Sequence, residues 1–339
     1  NEKYLEFIRN NIDNSLILRK GDSERKLLIK NLLLGMSEPL FNQSTRDDIR
    51  VAILISGQMR DYSTVADYFN SLKTQGISYD IFLSTWEKSG QPPCHLGSLR
   101  GYDSKIRTAI RNRASKFMVS NNEFVDHYHL RKDDLVDKDI VRSSFQRLKW
   151  MKIDIEGSTT REFNSNQERL YFKISQAYKE ASKIDYDAYI RVRPDLNFSL
   201  DTSTLVNCIR KCVTNENLIF VRDAPLTDMY MPFLDDNFAI ASPKAMESYA
   251  ALYDFSLHGG DKLPLDPFKE DIRPHSSLAY QLFLDGMNVK FIKGIENWTY
   301  NDISTISASE YITYLKSLNK DKLNINFIDS VIFKLRTVK

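Results

Sequence analysis

The chain is poor in the residues that build metal and disulfide scaffolds, with three cysteines and five histidines among 339 residues. Cys94, Cys208 and Cys212 are odd in number, and the closest pair would sit one helical turn apart. A disulfide framework is therefore not expected, and buried thiols are the ordinary reading. His127 and His129 flank Tyr128 beside Asp126, but no cysteine or third histidine follows at a zinc-site spacing, which leaves a structural or surface role. An excess of one charge is also missing. Forty-seven Lys and Arg against forty-five Asp and Glu give a net charge of +2, without the broad basic footprint of a nucleic-acid binder, so anion recognition must be local. No apolar run approaches the roughly eighteen residues a membrane span requires, and Asn1-Glu2-Lys3 shows no signal-peptide pattern; a cytoplasmic protein with no transmembrane segment is expected.

Several phosphate and nucleophile motifs are missing too. Without G-x-G-x-x-G or G-x-x-x-x-G-K-[ST], neither a dinucleotide fingerprint nor a P-loop is supported. Without G-x-S-x-G, the sequence does not point to a serine hydrolase elbow.

What is present is ordinary globular composition, 42% hydrophobic and 27% charged, in a chain long enough for one large α/β domain with additions. Leu5, Ile8, Ile12 and Leu16, then Leu27, Leu28, Leu32 and Leu33, recur at helical spacing on either side of Gly21. They predict a helical preface over 1–48, which packs on the main domain or joins a neighbour in a longer multidomain parent. Val51 to Ile55 and Tyr79 to Trp86 are short apolar runs separated by a helical stretch near 64–73, the pattern of buried parallel strands joined by a crossover. Residues 87–165 carry little periodicity, and the basic stretch Arg107, Arg111, Arg113 and Lys116 reads as a solvated helix face, with phosphate or acceptor binding as the alternative.

Alternation then resumes: a helix over 166–182, a strand from Tyr186 stopped by Pro194, a helix over 204–213, a strand over 217–221, an apolar segment Phe238 to Ala241, a helix opened by Pro243, a helix over 276–284 and a strand over 288–292. The expected fold is α/β, a central mostly parallel sheet over 49–295 with helical additions, the last a tail over 296–339.

In such sheets ligands lie beyond the carboxyl ends of the strands. Three polar clusters follow apolar strands: Ser56-Gly57-Gln58-Met59-Arg60, Ser84-Thr85-Trp86, and Arg191-Val192-Arg193-Pro194-Asp195. Arg191 and Arg193 share a face because strand side chains alternate, and two guanidinium groups in an apolar strand need anionic partners. Those partners are a phosphate-bearing ligand or internal acids such as Asp187, Asp235 and Asp236. Gly57 permits close backbone approach, with Arg60 nearby. Adjacent Asp235 and Asp236 invite an acid/base reading, since each raises the other's pKa, and a solvated turn is the plain alternative. His275, just before a helix, is a base, a phosphate contact or a surface residue.

The succession Ile55 to Arg60, Phe82 to Trp86, Tyr189 to Leu196 and Asp236 to Ser242 resembles glycosyltransferase-like proteins of bacterial surface-polysaccharide (capsule and lipopolysaccharide) clusters, and distantly the WavE-type core-synthesis proteins. The resemblance implies a GT-A-like nucleotide-binding sandwich and transfer of a sugar from a nucleotide-sugar, of UDP type, to a surface-polysaccharide or lipid-linked glycan at the inner face of the cytoplasmic membrane. It places Ser56, Gly57, Gln58, Arg60, Thr85, Trp86, Arg191 and Arg193 around the donor, and Asp236, with Asp235 and His275, at the catalytic step. Asp195 falls where a D-x-D motif would hold Mn or Mg, but Arg193 stands in place of its first aspartate, leaving one carboxylate. The alternatives are a noncatalytic glycan-binding or assembly module and a sugar-phosphate transferase.

Overall fold

The computed structural model describes residues 44–89, 135–155, 157–158, 163, 166–223, 234–258 and 274–297, with Thr313 and Phe333 as isolated positions. The helices expected before residue 40, Cys94, His127, His129 and the basic stretch at 107–116 lie outside the described residues, as does the expected tail apart from those isolated positions and the end of the last strand. The chain divides into two units, Asn1–Glu87 with Val136–Asn297, and Lys88–Leu135 with Trp298–Lys339. In the second, Lys88 and Leu135 form an isolated antiparallel bridge. The named helices and strands belong to the first unit.

Its elements run β1 (Ile49–Ser56), α1 (Ser63–Ser71), β2 (Ile77–Trp86), α2 (Lys138–Ser144), β3 (Leu148–Asp154), α3 (Asn166–Ala181), β4 (Ala188–Val192), β5 (Leu196–Phe198), α4 (Thr202–Thr214), β6 (Leu218–Arg222), β7 (Phe238–Ala241), α5 (Pro243–His258), α6 (Pro274–Leu284), β8 (Asn288–Ile292) and β9 (Ile295–Asn297). Seven strands form one sheet in the order β3-β2-β1-β4-β7-β6-β8, and β5 pairs with β9 in a small second sheet. Every pairing in the large sheet is parallel except those of β7, which runs antiparallel to both β4 and β6. The expected mixed α/β architecture with a mostly parallel central sheet is the one observed.

Strand alternation sorts the core into two layers. Val51, Ile53 and Ile55 of β1 pack on one side with Val65 and Phe69 of α1, Val141 of α2, and Leu205 and Ile209 of α4. Ala52 and Leu54 face the other side, with Tyr171 and Ile174 of α3, Tyr249 of α5, and Leu278 and Leu282 of α6. The sheet is thus covered on both faces, which is why β1 tolerates no polar residue between Val51 and Ile55. Burying Ile53 or Leu54 contributes about 1.5–3 kcal/mol each.

The connectivity places the site. From β1 the chain moves outward through β2 to β3, then returns to β4 on the opposite side of β1. Where the winding reverses, the connections leaving β1 and β4 diverge and open a crevice at their carboxyl ends. Because β7 is antiparallel, with Val192 of β4 opposite Phe238, its amino end stands at the same edge. Asp236 and Asn237 therefore arrive beside the ends of β1 and β4, a placement the sequence left open.

Candidate active site

At the end of β1 the chain turns at Gly57, whose φ of +129° is one that side-chain-bearing residues rarely adopt. A Cβ there would stand 3.4 Å from Pro194 Cδ, an ordinary contact, so backbone conformation rather than space demands glycine. The Gly57 amide donates to the Ser84 carbonyl at 3.2 Å, tying the turn to β2. The following residues, Gln58 to Arg60, are thereby carried over the end of β4.

There Arg60 and Arg193 converge on Asp195, which is 2% exposed. Arg60 Nη1 donates to Asp195 Oδ2 at 3.2 Å, and its Nη2 donates to Gln58 Oε1 at 2.6 Å. Arg193 grips both oxygens: Nε donates to Oδ1, and Nη2 donates to Oδ2 at 3.2 Å. Its remaining nitrogen, Nη1, donates to Asn237 Oδ1 at 2.8 Å, while the Arg193 amide donates to the Asn237 carbonyl at 2.8 Å. Such charge-assisted, forked contacts fix the guanidinium planes as well as their positions.

These residues border a cleft of about 690 Å³, open mouth included, lined by Gly57, Gln58, Arg60, Trp86, Asn166, Arg169, Leu170, Arg193 and Asp195. Asn166, Arg169 and Leu170 belong to the start of α3, so the positive end of a helix adds to the arginines on that wall. Trp86, delivered by β2, is 4% exposed and wedged between aromatic rings, Phe172 stacked at a centroid distance of 6.0 Å and Phe163 edge-on at 5.6 Å. Lys173 Nζ lies 4.1 Å from the indole centroid and donates to Asp154 Oδ2 at 2.5 Å. Burial pulls the Lys173 ammonium down to about 8, although Asp154 works in the opposite direction.

Of the residues expected around the donor, Gly57, Gln58, Arg60, Trp86, Arg193 and Asp195 line this cleft. Ser56, Thr85 and Arg191 do not; all three are fully buried. Arg191 does not share the exposure of Arg193. Its Nη1 donates to the Asn237 carbonyl at 2.6 Å and its Nη2 to the Ser56 carbonyl at 3.4 Å, so it ties β4 to the ends of β7 and β1 through backbone oxygens. Asp187 instead accepts from Arg46 Nη1 at 2.7 Å and the Arg50 amide at 2.8 Å.

Of the acid/base candidates, Asp235 and Asp236 are buried, and His275 is partly exposed. Asp235 pairs with Arg222 Nη2 and accepts from the Asn237 amide at 2.8 Å, an internal bracket at the edge of β6 and β7. Asp236 Oδ1 lies 3.7 Å from His275 Nδ1, and that nitrogen is 3.0 Å from the Leu234 carbonyl. Neither acid nor His275 lines the cleft. Asn237, Asn166 and Arg169 are the additions that sequence reasoning missed. Asn237 lies within the Asp236 to Ser242 segment but was not singled out, and no short motif marks Asn166 or Arg169, although the helix starting at 166 was itself legible.

A divalent cation at Asp195 does not fit these residues. Both carboxylate oxygens are already held by guanidinium groups, and among the described residues no group of three or more His, Cys, Asp and Glu is placed to hold a metal ion. Hard cations take six or more oxygen ligands or waters, and the side chains in contact with this carboxylate, Arg60 and Arg193, are donors only. Also among the described residues, no helix is long and apolar enough to cross a membrane.

No family model matches the chain, and no curated protein matches it. Among solved structures it is similar to the mannosyltransferase PcManGT from Pyrobaculum calidifontis in complex with GDP-Man and Mn2+, with a TM-score of 0.35 and 7% identity, covering 98% of this chain and 81% of that one.

Proposed function

We propose that the chain is a glycosyltransferase that takes a sugar from a nucleotide-sugar, with the donor diphosphate seated in the cleft beyond β1 and β4. One observation carries this reading: of the four ionisable side chains lining that cleft, Arg60, Arg169 and Arg193 are cationic and only Asp195 is acidic. A net positive, partly enclosed cleft at a switch point favours a compact anion. The order of the motifs around Ser56, Trp86, Asp195 and Asp236 supports the same class, with a UDP-type donor and a surface-polysaccharide or lipid-linked acceptor.

In the transfer, an acceptor hydroxyl oxygen bonds to the anomeric carbon as the bond from that carbon to the phosphate oxygen breaks. The electron pair of the breaking bond stays on the departing diphosphate, where guanidinium groups stabilise the new charge. The hydroxyl proton passes to a base; the Asp236–His275 pair, which stands outside the donor cleft, is the candidate for that role only toward an acceptor bound beyond the cleft lining. His275 is the more accessible partner, with 31% of its side chain exposed against 5% for Asp236.

The test is titration calorimetry of the full chain against nucleotides and nucleotide-sugars, followed by analysis of the products released with a glycan acceptor. Nucleotide-sugar binding and release of nucleoside diphosphate are expected. Glycan binding without nucleotide binding would mark a noncatalytic module, and release of nucleoside monophosphate a sugar-phosphate transferase.

A further inference from the structure

The cleft holds fixed positive charge at the place where the family resemblance would put a metal ion. Asp195 is 2% exposed and spends both oxygens on Arg60 and Arg193. Guanidinium groups do not deprotonate in proteins, so neither partner can be switched off to admit a cation. A divalent ion at this carboxylate would have to displace a forked contact and then sit beside both displaced charges, with Arg169 on the same wall. A diphosphate meets the opposite situation, since it is attracted by the same groups without their being moved apart.

We propose that this cleft binds the nucleotide diphosphate without a divalent cation, and that Asp195 is a positioning residue, the counter-ion that aligns Arg60 and Arg193, rather than a metal ligand. The inference rests on the donor reading above and assigns the chemistry of that site. Arg193 is further braced through Asn237, so its guanidinium is oriented by two partners before any ligand arrives. The geometry is pre-organised by the protein alone, which removes the need for a metal to gather the phosphates.

The experiment is titration calorimetry of the full chain with UDP and GDP, once in EDTA and once in excess MnCl2. Dissociation constants within about threefold of each other are expected in the two buffers. Binding confined to manganese overturns the inference and leaves the donor reading intact; absence of binding by any nucleotide or nucleotide-sugar in both buffers overturns the donor reading and this inference with it. Arg60→Ala should weaken binding in EDTA by about 10- to 100-fold. Asp195→Asn, which sets an amide donor against the guanidinium groups and removes the counter-charge, should weaken binding by about tenfold in EDTA and in MnCl2 alike.

Unchanged nucleotide binding in EDTA by folded Asp195→Asn, or a loss confined to manganese, would overturn the counter-ion role. Should that variant not fold, manganese paramagnetic resonance on the unaltered protein decides. Protein with nucleotide should leave as much free manganese signal as nucleotide alone, and a further drop on adding protein would overturn the proposal.

Discussion

Arg60 and Asp195 stand 135 positions apart in the chain and meet at 3.2 Å across the carboxyl ends of β1 and β4. The contact spans one border of the crevice that the reversal of winding opens, joining a loop from the first crossover to the strand end formed after the return. Because Asp195 also receives Arg193, one buried acid sets the spacing of two cations that arrive from different parts of the sequence.

Arg191 and Arg193 should separate experimentally into a scaffold residue and a ligand-facing one. Arg191→Met removes a buried cation that bonds two backbone carbonyls and should lower unfolding free energy by about 3 kcal/mol, as expected when buried partners are orphaned. Its nucleotide affinity, measured at a temperature where the variant remains folded, should match that of the unaltered protein. Arg193→Met should instead weaken nucleotide binding by about tenfold or more. Urea denaturation and calorimetry on both variants check this, and a folded Arg191→Met that binds no nucleotide would return Arg191 to the site.

Gly57→Ala tests the turn that carries Gln58 and Arg60. The new Cβ meets only ordinary contacts, so the cost arises from holding alanine at a φ of +129° and should be about 1–3 kcal/mol. The turn can relieve this by shifting, which would withdraw Arg60 from Asp195. A lower melting temperature together with weaker nucleotide binding is expected; a variant as stable as the unaltered protein would show that the turn does not need glycine.

Strands buried on both faces were legible because their apolar runs are continuous. β1, β2, β4 and β6 lie within a residue or two of their expected positions, as does the half-buried edge strand β8. β3 was not, because Leu148-Lys149-Trp150-Met151-Lys152 is half-buried at the sheet edge and interleaves lysines with apolar residues. α2 was missed although Asp137 caps it by accepting from the Asp139 and Ile140 amides at 2.9 and 3.0 Å, since a seven-residue helix shows little periodicity. The direction of β7 is a property of the whole sheet that no local pattern carries, and with it went the placement of Asn237 against Arg193. Likewise, Arg191 and Arg193 look equivalent by alternation alone. Only the end of β4 at Val192 and the turn at Pro194 leave Arg191 buried against backbone carbonyls and bring Arg193 to the cleft lining.

The Arg222–Asp235 pair should prove structural. The side chains are 9% and 3% exposed, and Asp235 also holds Asn237 through its amide and side chain. Asp235→Ala strands a buried guanidinium and should cost about 3–5 kcal/mol. Chemical denaturation measures the loss. Wild-type stability with loss of turnover would instead place Asp235 in the chemistry.

Lys173 gives a pH signature that differs from that of the acids. Its ammonium is shifted from 10.5 to about 8, chiefly by burial, so between those values the unfolded chain holds a proton that the folded chain has released. Stability rises with pH wherever the unfolded state binds more protons. The contribution of Lys173 should therefore grow as pH climbs from about 8 toward 10.5 and be flat below that window. Comparing melting temperatures of the unaltered protein and Lys173→Met across this range isolates the group, because other titrations are shared. The difference should move in favour of the unaltered protein as pH increases. Movement in the opposite direction would mean that the Asp154 contact outweighs burial and holds the lysine above its ordinary value, with the ammonium a stabilising support for the Trp86 ring at alkaline pH.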